Sequence, residues 1–101
     1  MEKLLTEVAM YANRRIALQV VTEAGEPWSM LSVNLPNVAL EPHEFCVPVW
    51  QISSEELQLQ LVSGRFEDTG RIEAAGHLQA PVWRVVDPQL LNAFAALQAS
   101  S

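Results

Sequence analysis

The sequence predicts an α+β domain in which a mainly antiparallel sheet of about five strands is accompanied by two helices. Three observations predict this class. Several short segments alternate apolar and polar side chains with the period of a strand. Short polar connections join most of them, and helix-capping residues stand at Ser53 and Asp87. The expected order is β-β-β-β-α-β-α, with both helices on one face of the sheet.

Length and composition limit the chain to one core. With 101 residues it has the commonest size of a single domain, so residues 1–101 are predicted to form one unit. Hydrophobic residues make up 50% of the chain and charged residues 18%, a composition typical of domains that fold alone. Cys46 is the only cysteine, so no disulfide bond can form within the chain.

The first three strands are predicted from alternation. Residues 4–12 suit a strand slightly better than a helix, whereas residues 16–21 and 28–33 alternate more clearly. Gly25 permits a positive φ and Pro27 favours a turn, so the second and third strands are predicted to form a hairpin.

A short fourth strand is predicted over residues 45–50, after a loop that extends to residue 44. Pro48 has no N–H to donate to a neighbouring strand. This strand should therefore lie at an edge of the sheet, or Pro48 should mark the end of the strand.

The first helix is predicted to begin after Ser53. The Ser53 hydroxyl can accept the Glu56 N–H, and the Glu56 side chain can return to the Ser53 N–H, which makes a capping box. Gly64 suits the left-handed residue that ends many helices. A strand is the alternative, because residues 57–61 also alternate with period two.

Residues 65–76 are mostly polar and contain two glycines, Gly70 and Gly76, so they are predicted to form an extended loop with a turn at 69–71. Residues 80–86 are predicted to form the fifth strand. Pro81 stands near its start, where a missing donor does least harm.

The second helix is predicted to begin after Asp87, with Asp87 as the N-cap and Pro88 at the first helical position. Its apolar side chains recur at the spacing of one helical face. They are Leu90, Leu91, Phe94 and Leu97.

Four segments together resemble a known pattern: residues 11–19, 25–36, 66–71 and 80–85. The pattern is that of a family of small proteins of unknown function that are encoded on conjugative plasmids, phages and other mobile elements. The resemblance spans residues 11–86, and the helix after Asp87 looks like an addition to it. It implies a mobile element as the source of the protein, and it brings no catalytic residue and no cofactor.

Residues for catalysis or metal binding are few. Cys46 and His43 form the one close pair of nucleophile and base, but their odd spacing puts them on opposite faces of an extended segment. His77 could join Glu73 or His43 in a metal site, yet no ligand spacing such as HExxH is present. We therefore predict no enzymatic activity, no cofactor and no metal. A small hydrolase that uses Cys46 or His77 is the weaker alternative.

Charge excludes several kinds of partner. The net charge of −6 repels nucleic-acid phosphates and anionic lipid headgroups. No apolar run approaches the ~20 residues that a membrane span needs. Acidic residues near the start argue against a secretory signal. We expect a cytoplasmic protein of a bacterial host that binds neither nucleic acid nor membrane directly.

The acids are concentrated between residues 41 and 73, a segment that contains seven acidic residues and only two arginines. An ordinary solvated surface is one explanation. The other is an acidic face that docks on a basic protein surface, such as the nucleic-acid channel of a nuclease. The predicted partner-binding residues are Glu55, Glu56, Glu67, Asp68 and Glu73.

Together with the resemblance, this charge favours an inhibitor of a host defence nuclease, of the anti-CRISPR or antirestriction type. The alternative is an accessory protein that acts by homo-oligomerisation, through the C-terminal helix or a free sheet edge near Pro48 or Pro81. Any exposed tryptophan among Trp28, Trp50 and Trp83 would be the strongest anchor for a partner.

Overall fold

Residues 4–100 are described by a computed structural model, which contains six strands and two helices. The strands form two antiparallel sheets of three strands each. Sheet A has the order β1-β2-β3 and sheet B the order β4-β6-β5. The predicted α+β class and the two helices are confirmed, but the prediction of one sheet of about five strands is wrong. In chain order the elements are β1 (Leu4–Met10), β2 (Ile16–Thr22), β3 (Pro27–Met30), β4 (Glu44–Cys46), α1 (Ser54–Val62), β5 (Phe66–Ala75), β6 (Leu78–Val85) and α2 (Pro88–Ala99).

The largest local error of the sequence analysis concerns residues 65–76. They were expected to form a loop, but most of them belong to β5, which pairs with β6 in a hairpin. The pairing is irregular between Asp68 and Ile72, where Gly70 has a φ of 85°. This irregularity interrupts the alternation of the strand, and its polar residues therefore resemble a loop in the sequence.

Sheet A also contains an irregularity, in the pairing of β2 with β3. Val20 lies opposite Ser29 and Val21 lies opposite Pro27, so Trp28 has no residue opposite it in β2. An extra residue of this kind is a β-bulge, which bends the strand and changes the direction of the side chain.

Both sheets contribute to one hydrophobic core. Side chains from β2, the strands of sheet B and α2 are buried together, and the aromatic rings of Phe45, Phe66 and Trp83 contact one another in this core. The ring centroids of Phe45 and Phe66 are 5.6 Å apart, and that of Trp83 lies 6.2 Å from Phe45 and 6.1 Å from Phe66. Phe45 meets both other rings edge to face, and such pairs add to the stability gained from burial alone.

The two helix starts follow the predicted capping residues. Ser53 is the N-cap of α1, and its hydroxyl accepts the Glu56 N–H at 3.2 Å. Asp87 is the N-cap of α2 and accepts the Gln89 N–H at 2.9 Å. Gly64 follows α1 with a φ of 80°, as its predicted role at the helix end requires. Neither helix within residues 4–100 is long and apolar enough to cross a membrane.

A smaller cluster lies on sheet B and contains Cys46, Ala80 and Val82. Partly buried apolar side chains from residues 33–40, here called the connecting segment, pack against it. Two arginines hold this segment by its carbonyl groups. Arg15 donates to the Leu35 carbonyl at 2.8 Å and also to that of Val38, and Arg71 donates to the Ala39 carbonyl at 2.8 Å.

Pro81 lies in β6, the central strand of sheet B. The prediction of a free sheet edge near Pro81 is therefore wrong. The Pro81 carbonyl accepts the Val47 N–H at 2.9 Å, and an ordinary residue would donate a second bond back to Val47. The Val47 carbonyl accepts the Val49 N–H instead, also at 2.9 Å. The missing donor of Pro81 is therefore tolerated because β4 ends beside it.

Candidate partner-binding site

The three tryptophans occupy different environments. Trp83 is buried in the core and retains only 2% of its accessible surface, whereas Trp28 retains 57%. Trp50 lies in a turn after β4 and is partly exposed. Trp28, which stands at the bulge of β3, is therefore the exposed aromatic residue that best fits an anchor for a partner.

Trp28 lines a shallow groove where the start of α1 meets sheet A. The groove has a volume of about 210 Å³, and we call it the Trp28 groove. It is lined by Leu4, Trp28, Ser53, Glu55, Glu56 and Leu59.

One hydrogen bond fixes the start of α1 against β3. The Ser29 hydroxyl donates to Glu56 Oε1 at 3.0 Å. This is the carboxylate that was expected to return to the Ser53 N–H, so only the Ser53 half of the predicted capping box is present. Glu56 thus ties the helix to the sheet, and it places Glu55 and Leu59 beside Trp28.

Helix α1 has apolar side chains on two sides. Leu57 and Leu61 pack against the core, while Leu59 and Val62 point outwards and retain 70% and 72% of their accessible surface. With Glu55 and Gln58, these two form an exposed stripe at positions i, i+3, i+4 and i+7 of the helix. We call this set the outer stripe of α1.

The predicted acids fall into two groups, which lie on different elements. Glu55 and Glu56 are in the first turn of α1 at the Trp28 groove, whereas Glu67, Asp68 and Glu73 are on β5 in sheet B. No ion pair within residues 4–100 involves Glu55 or Glu56. Both also stand where the positive end of the helix dipole favours an acid.

The three acids on β5 make contacts within the chain. Glu67 pairs with Arg84, and Glu73 pairs with Arg71 at 3.2 Å. Asp68 accepts the Gly70 N–H at 2.9 Å and so supports the irregular part of β5. These carboxylates already contribute to the fold.

Arg71 is the centre of the largest group of charges. Besides Glu73 and the Ala39 carbonyl, it contacts Glu44 Oε1 at 2.7 Å. Glu44 retains only 5% of its accessible surface, and the same oxygen also accepts the Glu41 N–H. The hydrogen bond to Glu73, followed by the contacts with Glu44, raises the pKa of the Arg71 guanidinium above its ordinary value.

Every arginine donates to an oxygen of its own chain. Arg65 contacts Thr6 and Asp87, Arg14 donates to the Gln98 carbonyl, and the other three have been described above. Lys3, the only lysine, lies outside the described residues. The outward-facing acids that have no ion pair among residues 4–100 include Glu7, Glu23, Glu26, Glu41 and Glu55.

The residues considered for catalysis do not converge. Cys46 is buried, and burial raises the pKa of its thiol, which disfavours the nucleophilic thiolate. His43 is exposed before β4, and His77 is exposed in the turn between β5 and β6. The part of the chain that the structure describes contains no group of three or more potential metal ligands.

No family model, curated protein or solved structure matches the chain. The resemblance to the mobile-element family therefore stays a prediction.

Sequence reasoning missed Leu4 and Leu59, and it named Trp28 only as one of three tryptophans that could serve as an anchor. It identified Glu55 and Glu56, but it did not place Leu4, Trp28 and Leu59 beside them. One signal was present: residues 57–61 alternate with period two inside a helix, and such a pattern cannot place every leucine on the same face. At least one leucine of α1 had to point away from the core.

Proposed function

We propose that this protein is a non-enzymatic binding protein of a mobile element, and that it inhibits a host defence nuclease complex by docking on a basic surface. The observation that best supports docking on a basic surface is that positive and negative side chains differ in their contacts within the chain. Every arginine donates to an oxygen of its own chain, while exposed acids such as Glu55 have no ion pair within residues 4–100. The charge left for a partner is therefore negative.

A basic protein surface is the partner that this charge fits best. Complementary potentials accelerate encounter and fix orientation, whereas nucleic acid and anionic lipid would be repelled. A channel that binds nucleic acid inside a nuclease complex offers such a surface. Glu55 and Glu56 rank first among the five predicted contact residues, because Glu67 and Glu73 are already paired with arginines.

The mobile-element source and the bacterial cytoplasm as location rest on the sequence resemblance. The non-enzymatic character is supported by the burial of Cys46 and by the separate, exposed positions of His43 and His77. The alternative of an accessory protein that oligomerises through α2 has less support, because Leu90 and Phe94 of α2 are buried in the core of their own chain.

A charge-reversal experiment tests this function. A panel of purified CRISPR effector complexes and restriction enzymes is assayed for DNA cleavage with and without the protein, at low and high salt. We expect inhibition of at least one complex, weaker at high salt because screening shortens the range of the attraction. The double change Glu55→Lys and Glu56→Lys should abolish it.

The matched control is the double change Glu7→Lys and Glu41→Lys, which alters the net charge equally at two other exposed acids without ion pairs among the described residues. It should leave most of the inhibition intact. The milder pair Glu55→Gln and Glu56→Gln removes the two charges, and circular dichroism measures whether the helix content is kept. Reduced inhibition with unchanged helix content excludes loss of α1 as the cause. Equal effects of the two reversals, or no inhibition across the panel, would contradict the proposal.

A further inference from the structure

The Trp28 groove offers apolar area as well as charge. Leu4, Trp28 and Leu59 expose apolar surface in it, and Val62 extends this surface along the outer stripe of α1. From Glu55 to Val62 the stripe is about 10 Å long, at a rise of 1.5 Å per residue. Residues at this helical spacing form the ridge that packs against a second helix.

Charge around the groove has one sign. Glu55 and Glu56 are the charged residues that line it within residues 4–100, and the arginines are bound elsewhere. An apolar surface with acids at one end complements an apolar segment that carries Lys or Arg beside it. The occupant should therefore be both amphipathic and basic.

The β3 edge of sheet A, at which Trp28 lies, is poorly suited to receive an extended strand. β3 has only four residues, it begins with Pro27, which has no N–H to donate, and it contains the bulge at Trp28. Short length, proline and bulges are features that protect sheet edges from added strands. A helix that packs on the outer stripe of α1 does not need this edge.

From these three features we infer that the Trp28 groove, with the outer stripe of α1, receives a basic amphipathic α-helix of the partner protein. The inference rests on the proposed function and specifies its partner. Trp28 and Leu59 contact the apolar side of the incoming helix, and Glu55 and Glu56 contact its Lys or Arg side chains. This is the helix-in-groove mode of recognition, in which apolar anchors recur at i, i+3, i+4 and i+7.

Two synthetic peptides of the same composition test the inference. Both contain roughly 18 residues, long enough to form a helix on binding. In the first, leucines follow the i, i+3, i+4, i+7 pattern among lysines, and in the second leucine and lysine alternate, which gives no apolar helix face. Isothermal titration calorimetry measures affinity, and the Trp28 indole N–H resonance, assigned by its loss in Trp28→Ala, reports the position of binding.

We expect the first peptide to bind and to shift the Trp28 resonance, and the second to bind about tenfold more weakly or not at all. Leu59→Ser should weaken binding of the first peptide by about tenfold, since it removes apolar area that the incoming helix buries. Ile72→Ser is the matched control: Ile72 is also a largely exposed aliphatic residue, but it lies on β5. This variant should bind like the unchanged protein.

Three results would overturn the inference. They are equal binding of the two peptides, an equal effect of Leu59→Ser and Ile72→Ser, and self-association in light scattering that Leu59→Ser abolishes, which would assign the groove to a second copy of the chain. The experiments distinguish an error in the proposed binding mode of the groove from an error in the proposed inhibitory function. If Leu59→Ser and Trp28→Ala leave nuclease inhibition intact while Glu55→Lys with Glu56→Lys abolishes it, the function stands and the groove does not. If the first peptide binds the groove but no complex is inhibited, the groove stands and the function does not.

Discussion

Two tryptophans mark regions of the molecule that contain similar residues in different arrangements. Around Trp83, aromatic rings are buried, and two of the three acids on β5, Glu67 and Glu73, contact arginines. Around Trp28, the ring is exposed and the nearby acids Glu55 and Glu56 have no ion pair within residues 4–100. In the first region these residues stabilise their own chain, and in the second they remain accessible to another molecule.

The difference changes how the acidic cluster of the sequence is understood. A carboxylate that contacts an arginine adds little to the potential felt by a partner, so the number of acids in a segment does not measure its surface charge. Glu67 and Glu73 belong to the same acidic stretch as Glu55, yet Arg84 compensates the charge of Glu67, and Arg71 is shared between Glu73 and the buried Glu44. The three predictions that follow test this contrast between the two regions.

The largest expected effect is on stability and comes from Trp83→Ala. Removing a large buried ring costs about 3–5 kcal/mol of unfolding free energy, because it loses burial and leaves a cavity. Trp28→Ala should change the unfolding free energy by no more than about 0.5 kcal/mol, as expected for an exposed position. Urea unfolding followed by far-ultraviolet circular dichroism measures both. Similar losses in the two variants would contradict the assignment of Trp28 to the surface.

A smaller loss is expected from Arg71→Met, which leaves the buried Glu44 carboxylate without its cation and frees the Ala39 carbonyl. The urea midpoint should fall, and Cys46 should react faster with a thiol reagent because the connecting segment that packs near it is less firmly held. Arg84→Met is the control, since its partner Glu67 is exposed. If the two variants lose equal stability, the burial of Glu44 has no energetic importance.

The smallest effect concerns alkaline pH. Burial raises the pKa of Cys46 in the folded state, so the unfolded thiol ionises first as the pH increases. The stability that this difference contributes is fully present below about pH 8.5, where the unfolded thiol is also neutral. It is lost as the pH rises through the raised pKa of the folded state. Urea midpoints between pH 7 and pH 10 should fall less steeply for Cys46→Val, and identical slopes would contradict the expectation.

The sequence predicted the parts of the fold that depend on local chemistry. Both helix starts were correct, because the Ser53 and Asp87 side chains reach backbone N–H groups only two or three residues away. The first three strands were also found, because residues 16–21 and 28–33 alternate clearly, although the third strand ends at Met30 rather than at residue 33. β5 was missed, because glycine and charged residues at its irregular pairing hide the alternation.

The division into two sheets could not be predicted, because it depends on contacts between distant residues. The segment after Met30 leaves sheet A and reaches sheet B through an isolated bridge between Val33 and Cys46. Nothing local to either residue indicates this pairing. The same limit applies to the site. Glu55 could be chosen from its charge, but its position beside Trp28 depends on contacts between distant residues, such as the hydrogen bond from Ser29 to Glu56.

The hydrogen bonds of the connecting segment have a consequence for how the protein unfolds. Arg15, from the turn between β1 and β2, holds it at Leu35 and Val38, while Arg71, from β5, holds it at Ala39. The connecting segment is therefore hydrogen-bonded to a turn of sheet A and to a strand of sheet B. If one sheet unfolds, the hydrogen bonds that join this segment to it are lost, and the segment is held less firmly on the other sheet. The molecule should therefore lose its structure in a single cooperative step, without a long-lived intermediate in which one half is melted.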